Sequence, residues 1–223
     1  MSDLQLVLTE DGSHTLYNPR LNEHYHSTHG ALQESMHVFI EAGLKEVCKQ
    51  TNTVHILEIG FGTGLNCMLT LEHSMLESIR MEYTALEPCP LKPEMLDALN
   101  HPSLRKTQSA HALFRLIHSE EEGDILCTEH FHLCRHKQKL EDFVIAGKHT
   151  LIYFDAFAPG VQPELWTAGL FKKLFDSLEP GGILVTYCAK GEVKRNMKAA
   201  GFLIERLPGP PGKREMTRCR KAS

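Results

Sequence analysis

Several things are missing from this 223-residue sequence, and each absence removes a class of protein. No apolar stretch approaches the ~18 residues that a membrane span needs, so a membrane protein is excluded. Residues 1–10 carry no basic n-region and no apolar h-region, so a secretory signal is not read there and the cytoplasm is the expected location. There is no CxxC pair. The seven cysteines, at 48, 67, 89, 127, 134, 188 and 219, are odd in number and sit among apolar neighbours such as Val47 and Met68. They read as reduced thiols, with neither a disulfide frame nor a zinc knuckle. Internal repeats and low-complexity linkers are absent too.

Positive charge is also scarce: 24 Lys/Arg stand against 28 Asp/Glu, a net −4, which taken alone argues against a nucleic-acid partner. The total hides an asymmetry. Residues 190–223 hold ten Lys/Arg against three Asp/Glu, or +7, leaving −11 on residues 1–189. An acidic body with a basic end has a different set of partners from a uniformly acidic protein. Lys194 and Lys198 are one helical turn apart and share a face. The cluster that begins there can neutralise RNA backbone phosphates; the plainer reading is a solvated helix face and terminus.

What is present is an α/β alternation over one domain, residues 1–223, with 42% hydrophobic and 23% charged residues. Residues 1–50 predict a hairpin around Asp11-Gly12 and a helix with apolar residues at 32, 36, 39, 40 and 44, together covering a core at 51–223. In that core, strands are expected at 54–59, 83–86, 131–134, 150–154 and 182–187. Helices are expected from Leu65, from Lys92-Pro93, and at 138–146, 167–178 and 192–200. Segments 202–207 and 215–220 form an antiparallel pair. Residues 101–128 read as an insert, with a helix at 112–117 and an exposed loop at 120–124.

The chemistry concentrates at strand ends. Glu58-Ile59-Gly60-Phe61-Gly62-Thr63-Gly64 is a strand, glycine loop and helix start; glycines permit the sharp turn and a close backbone approach to a ligand. A GxGxG with a carboxylate two residues upstream, followed by a strand-ending Glu87, is closer to S-adenosylmethionine binding than to a dinucleotide fingerprint. Glu87 is placed to accept hydrogen bonds from both ribose hydroxyls, or is an exposed residue before a turn. Asp155-Ala156-Phe157-Ala158-Pro159-Gly160 follows the fourth core strand and should face the glycine loop. Asp155 can accept a hydrogen bond from a nucleophilic amine, Phe157 can stack on a planar base, and Pro159 stiffens the loop; a turn-capping Asp is the alternative. His24-x-His26-x-x-His29 and His130-x-His132-x-x-x-His136 have metal-like spacings without the usual cysteine or carboxylate, so no metal is expected.

The loop from Gly60 to Asn66, the segment from Asp155 to Trp166, the closing Gly212-Lys213-Arg214-Glu215-Met216 and the entrance residues Tyr25-His26-Ser27 together resemble the methyltransferase domain that makes 5-methylaminomethyl-2-thiouridine in tRNA. The resemblance covers nearly the whole chain. It implies a Rossmann-like class I methyltransferase, with a mostly parallel seven-stranded sheet flanked by helices and an antiparallel C-terminal pair. It implies methyl transfer from S-adenosylmethionine to the primary amine of 5-aminomethyl-2-thiouridine at the wobble position, with Asp155 orienting the amine and taking a proton. Carried over by position, Glu58, Gly60, Phe61, Gly62, Thr63, Gly64, Asn66 and Glu87 would hold the cofactor. His136 stands where the family tends to place an acidic adenine contact, with Arg135 and Lys137 beside it. Tyr25, Phe157, Pro159, Lys213 and Arg214 would face the anticodon stem-loop of the tRNA. Some members carry a fused flavin-dependent oxidase for which 223 residues leave no room, so a separate enzyme is expected to supply the aminomethyl substrate. Two other readings stay open: a methyl- or aminopropyl-type transferase acting on a small amine or a protein, and a non-catalytic RNA-binding module with the same fold.

Overall fold

The computed structural model describes residues 4–105, 109–119 and 123–222. The chain opens with β1 (Gln5–Leu8), β2 (His14–Asn18) and β3 (Glu23–His24), a separate antiparallel sheet of three strands. The first turn is the expected one at Asp11-Gly12, and Asp11 does more than turn the chain. Its Oδ2 accepts the Gln33 N–H at 2.9 Å, tying the hairpin to the start of α1 (Ala31–Ser35). The helix continues through a π-helical stretch, Met36–Leu44, into α2 (Lys45–Cys48).

The main sheet follows, with β4 (Thr53–Ile59), β5 (Arg80–Leu86), β6 (Gly123–Thr128), β7 (Phe131–His136), β8 (His149–Phe154), β9 (Leu178–Thr186), β10 (Leu203–Pro208) and β11 (Glu215–Arg220). Its order is β10-β11-β9-β8-β4-β5-β7-β6. The five strands β9, β8, β4, β5 and β7 are parallel neighbours, and β11 and β10 close one edge antiparallel. Helices α3 (Leu65–Glu77), α4 (Pro93–Ala98), α5 (Ala110–Ile117), α6 (Ala168–Ser177) and α7 (Gly191–Ala199) connect them.

Period-two alternation sorts the strands onto two cores. Val54, Ile56, Leu151, Tyr153 and Val185 pack with Phe39 and Leu44 on one face. Leu57, Ile59, Ile152, Phe154 and Leu184 pack with Trp166 and Phe171 on the other. Both faces are covered, so the parallel strands read as near-continuous apolar runs. No described helix is long and apolar enough to cross a membrane.

Three expectations need correction. The sheet has eight strands, because β6 forms an antiparallel hairpin with β7 and takes Gly123 and Asp124 out of the expected loop; residues 120–122 of that loop lie outside the described residues. No helix forms at 138–146. The segment keeps one turn, in which the Asp142 and Phe143 N–H groups donate to the Lys139 carbonyl at 3.2 and 3.0 Å, and the Leu140 and Glu141 carbonyls accept from Lys173 Nζ at 2.6 and 3.1 Å. The third N-terminal strand, β3, was not foreseen; its two residues show no alternation to read.

Candidate active site

Strand order reverses between β4 and β8, the position where open α/β sheets form a crevice at their carboxyl ends. A cleft of about 550 Å³ lies there. Its floor is the glycine loop. Gly60, at φ +88°, would place a Cβ 2.5 Å from the Asp155 carbonyl oxygen, so only glycine lets the loops after β4 and β8 touch. The Asp155 N–H donates to the Ile59 carbonyl at 2.9 Å and fixes that contact. Gly62 donates its N–H to Glu87 Oε2 at 3.0 Å, while Cys89 donates to Glu87 Oε1 at 2.9 Å. Both carboxylate oxygens are thereby aimed, and each retains a lone pair for a ligand.

Of the residues singled out in the sequence, Gly60, Phe61, Gly62 and Glu87 line the cleft, as do Tyr25, Asp155, Phe157 and Lys213. The remainder sit behind or beside it. Glu58 is fully buried under the loop. Asn66 Nδ2 donates to Glu58 Oε1 at 3.0 Å and to Asp155 Oδ2 at 2.8 Å. Thr63 Oγ1 pairs with His26 Nε2 at 2.7 Å, joining the loop to the N-terminal cover. Gly64 starts α3 in the left-handed region at φ +70°. His136 packs its ring on Phe143, with centroids 4.8 Å apart, and is not a cleft residue; Gln138, Lys139, Leu140 and Glu141 take that end of the cleft. Pro159 does not line the cleft, and Arg214 is exposed outside it.

The sequence reasoning passed over Tyr187, which follows β9 and lines the cleft. Its place just after a parallel strand is the same signal that marks Glu87 and Asp155. Tyr187 forms the base of an unexpected arrangement: Lys213 Nζ lies 3.9 Å over its ring and 2.5 Å from Glu34 Oε1. The second Glu34 oxygen accepts the Ser27 N–H at 2.8 Å. Lys213 thus ties the loop between β10 and β11 to the N-terminal cover.

Burial, with the Glu34 carboxylate adding to it, pushes the Asp155 carboxyl up to about 7 against the opposing Asn66 hydrogen bond and Lys213 charge. Burial holds Glu58 well above the ordinary carboxylate range, against the hydrogen bond from Asn66. Glu87 is raised by burial too, against the two N–H donors. Burial pushes the Tyr25 hydroxyl up to about 12, with Glu87 adding to it, so this side chain stays an uncharged donor at the cleft wall.

An S-adenosylmethionine fits this site on three observations. The volume is that of a small-molecule pocket. A Cβ on Gly62 would come 3.3 Å from Tyr25 Cδ1, so the bare glycine leaves the floor open under that ring. Glu23, Glu34, Glu87, Glu141, Asp155 and Glu164 line the cleft with only Lys139 and Lys213 of opposite charge, a negative excess suited to a cationic ligand. Glu87 and the Gly60–Gly62 backbone would hold it. When bound, the group supplies a methyl carried on a positively charged sulfur.

Known proteins match this arrangement. A tRNA 5-methylaminomethyl-2-thiouridine biosynthesis bifunctional protein MnmC from Cupriavidus metallidurans is 32% identical over 233 residues, covering 97% of this chain and 34% of that protein. Its counterpart from Magnetococcus marinus is 32% identical over 218 residues, covering 92% and 32%. The chain therefore spans about a third of the length of these relatives. The crystal structure of MNMC2 from Aquifex aeolicus superposes with a TM-score of 0.82 at 26% identity, over 100% of this chain and 72% of that one. Residues 115–222 match the model of an S-adenosyl-L-methionine-dependent methyltransferase family, and with the glycine loop and Glu87 in place the chain belongs to the S-adenosyl-L-methionine-dependent methyltransferases.

Proposed function

We propose that this protein methylates the primary amine of 5-aminomethyl-2-thiouridine at the wobble position of tRNA, giving 5-methylaminomethyl-2-thiouridine. The observation that carries the reading is Asp155. It stands at the end of β8 with Oδ2 held by Asn66 and no hydrogen bond on Oδ1 among the described residues, and it lines the cleft beside Phe157. The names of the MnmC relatives support the substrate.

An alkylamine is a nucleophile only when neutral, yet in water it is an ammonium at pH 7. Asp155 binds that ammonium at Oδ1, removes a proton to expose the nitrogen lone pair, and then steadies the secondary ammonium that forms. A carboxyl with a pKa of about 7 suits both duties, since it is partly ionised and gives its proton back to water. Tyr25 and Phe157, edge to face at 5.1 Å between centroids, wall the space in which a planar base extruded from the anticodon loop would lie. Alignment of amine and methyl supplies most of the rate enhancement, because attack on a sulfonium carbon needs little acid–base help.

The test is methyl incorporation from labelled cofactor into tRNA bearing the aminomethyl base, with cofactor binding followed by calorimetry. Incorporation that Asp155→Ala abolishes without loss of cofactor binding is expected. Cofactor binding without incorporation would overturn the substrate assignment.

A further inference from the structure

The basic end of the sequence is not one surface. β11 runs antiparallel to β9, with Thr217 opposite Thr186 and Arg220 opposite Ile183. The start of β11 is therefore at the cleft end of the sheet and its last residues are at the far end. At the far end the cations are consumed by the fold. Arg218 Nη2 lies 2.6 Å from Glu205 and Arg220 Nε 3.2 Å from Glu205, with Glu46 shared between the two arginines. Lys221 Nζ donates to the carbonyls of Phe175 and Leu178 at 2.9 and 2.8 Å. Two more cations are taken nearer the cleft, Lys213 by Glu34 and Lys194 by Glu215 at 2.9 Å.

Lys190, Arg206 and Arg214 are exposed at the cleft end with no ion-pair partner among the described residues, and Arg195, whose Nη1 would lie 3.5 Å from a Cβ on Gly191, is a fourth such cation further along α7. Lys190 caps α7 just after β9. Arg206 pairs across to Thr217, and so stands level with the end of β9. Arg214 immediately precedes β11. Arg206 and Arg214 both act on Glu215, whose carboxyl Lys194 first and these arginines second hold below the ordinary range. Arg206 and Arg214 therefore flank the Lys194–Glu215 pair, Lys190 precedes Lys194 by one turn with its carbonyl accepting the Lys194 N–H at 3.0 Å, and Lys213, next to Arg214, lines the cleft.

We propose that Lys190, Arg206 and Arg214 form the surface that takes the phosphates of an RNA, on the reading that the substrate is a tRNA. The interior of the cleft is acidic, with Glu23, Glu34, Glu87 and Asp155 on its walls, so a phosphate backbone is repelled from it. Only an uncharged base or a cationic amine gains by entering. An enzyme that works on an extruded base needs the backbone held outside while the base goes in, and a cationic rim over an acidic floor does this. Lys213, although in the same loop as Arg214, belongs to the floor and not to the rim.

The test is fluorescence-anisotropy titration of tRNA over a range of salt concentrations. It compares wild type, the triple variant Lys190→Ala, Arg206→Ala, Arg214→Ala, and Lys198→Ala. Lys198 is exposed on the same helix but eight residues on, some ~12 Å towards the far end. The triple variant should bind more than tenfold more weakly, with a log K against log salt slope shallower by about 2–3. Lys198→Ala should match wild type, and all three proteins should melt alike. An unchanged slope in the triple variant, or an equal loss in Lys198→Ala, overturns the surface while leaving the methyl-transfer reading intact. A wild type that binds no tRNA at low salt overturns both.

Discussion

Asn66 Nδ2 lies 2.8 Å from Asp155 Oδ2, and the same nitrogen donates to Glu58 Oε1 at 3.0 Å. One amide in the first turn of α3 therefore joins the buried Glu58 carboxyl to the Asp155 carboxyl at the reacting end of the cleft. Asn66 does not line the cleft; it positions Asp155.

Asn66→Leu removes the hydrogen bond that holds the Asp155 carboxyl down, so its pKa should move up from about 7. A hydrogen bond to a charged group contributes about 1.5–3 kcal/mol, which corresponds to a shift of about one unit or more. If Asp155 takes the proton, the rising limb of log kcat/KM against pH moves to higher pH by that amount. Cofactor affinity, read by calorimetry, should stay near wild type. A limb that does not move would show that Asp155 is not the group titrating in it.

Glu87 offers a separate test of the cofactor end. Glutamine in its place has one acceptor oxygen, and its amide would point N–H groups at the Gly62 or Cys89 N–H. Glu87→Gln should lose one anchor and the charge, weakening cofactor binding roughly tenfold to a hundredfold at about 1.5–3 kcal/mol. An equal drop in kcat at saturating cofactor, with affinity preserved, would place Glu87 elsewhere in the mechanism.

The contrast between Asn66 and Glu87 explains what the sequence could disclose. Glu87, Gly60, Gly62 and Asp155 follow from local rules: a strand ends, a glycine turn or a carboxylate comes next, and parallel strand ends converge. Asn66, Glu58 and Thr63 belong to the same motif, but whether a side chain points up at a ligand or down at a neighbour depends on packing across the sheet. Lys213 shows the same limit for charge. Nothing near it in the sequence announces Glu34, which lies 179 positions away. The segment 138–146 shows it as well, since its Leu140 and Glu141 carbonyls are met by Lys173 from α6, a contact that nothing local announces. Period and turn chemistry sufficed for the βα core because both are local.

The resemblance implies that Lys213 faces the anticodon stem-loop, and its pairing with Glu34 predicts another behaviour. Glu34 is 6% exposed, so Lys213→Met leaves a buried carboxylate without its cation. Stability should fall by about 2 kcal/mol, seen as a lower denaturant midpoint. Adding Glu34→Gln should restore most of the loss, because the uncompensated charge is then gone. The salt slope of tRNA binding should not change with Lys213→Met. A slope reduced by about one, with stability intact, would return Lys213 to the phosphate surface.

Acid sensitivity draws on buried histidines: His26 and His101 with the half-buried His118 behind the glycine loop, and His149 at the start of β8, which burial also holds to about 4. Burial holds His26 to about 4, His101 to about 3 and His118 to about 4, below the ordinary 6.5. His101 lies 6.1 Å from His26 and 6.4 Å from Phe114 between ring centroids, and neither of its ring nitrogens has a hydrogen-bond partner. The unfolded chain binds protons at these sites once pH drops below 6.5, while the folded protein does not until about 4. Their contribution to stability is thus complete above pH 6.5 and is lost progressively as pH falls towards 4. The raised Asp155, Glu58 and Glu87 carboxyls act in the opposite sense, so a single melting curve cannot isolate the histidines. A comparison of variants can. His101→Phe keeps an aromatic ring beside Phe114 and removes one titrating group, so between pH 6.5 and 4.5 its melting temperature should fall less steeply than that of wild type. Above pH 7 the gap between the two proteins should be constant. Parallel curves over the whole range would mean that His101 takes no part in the acid response.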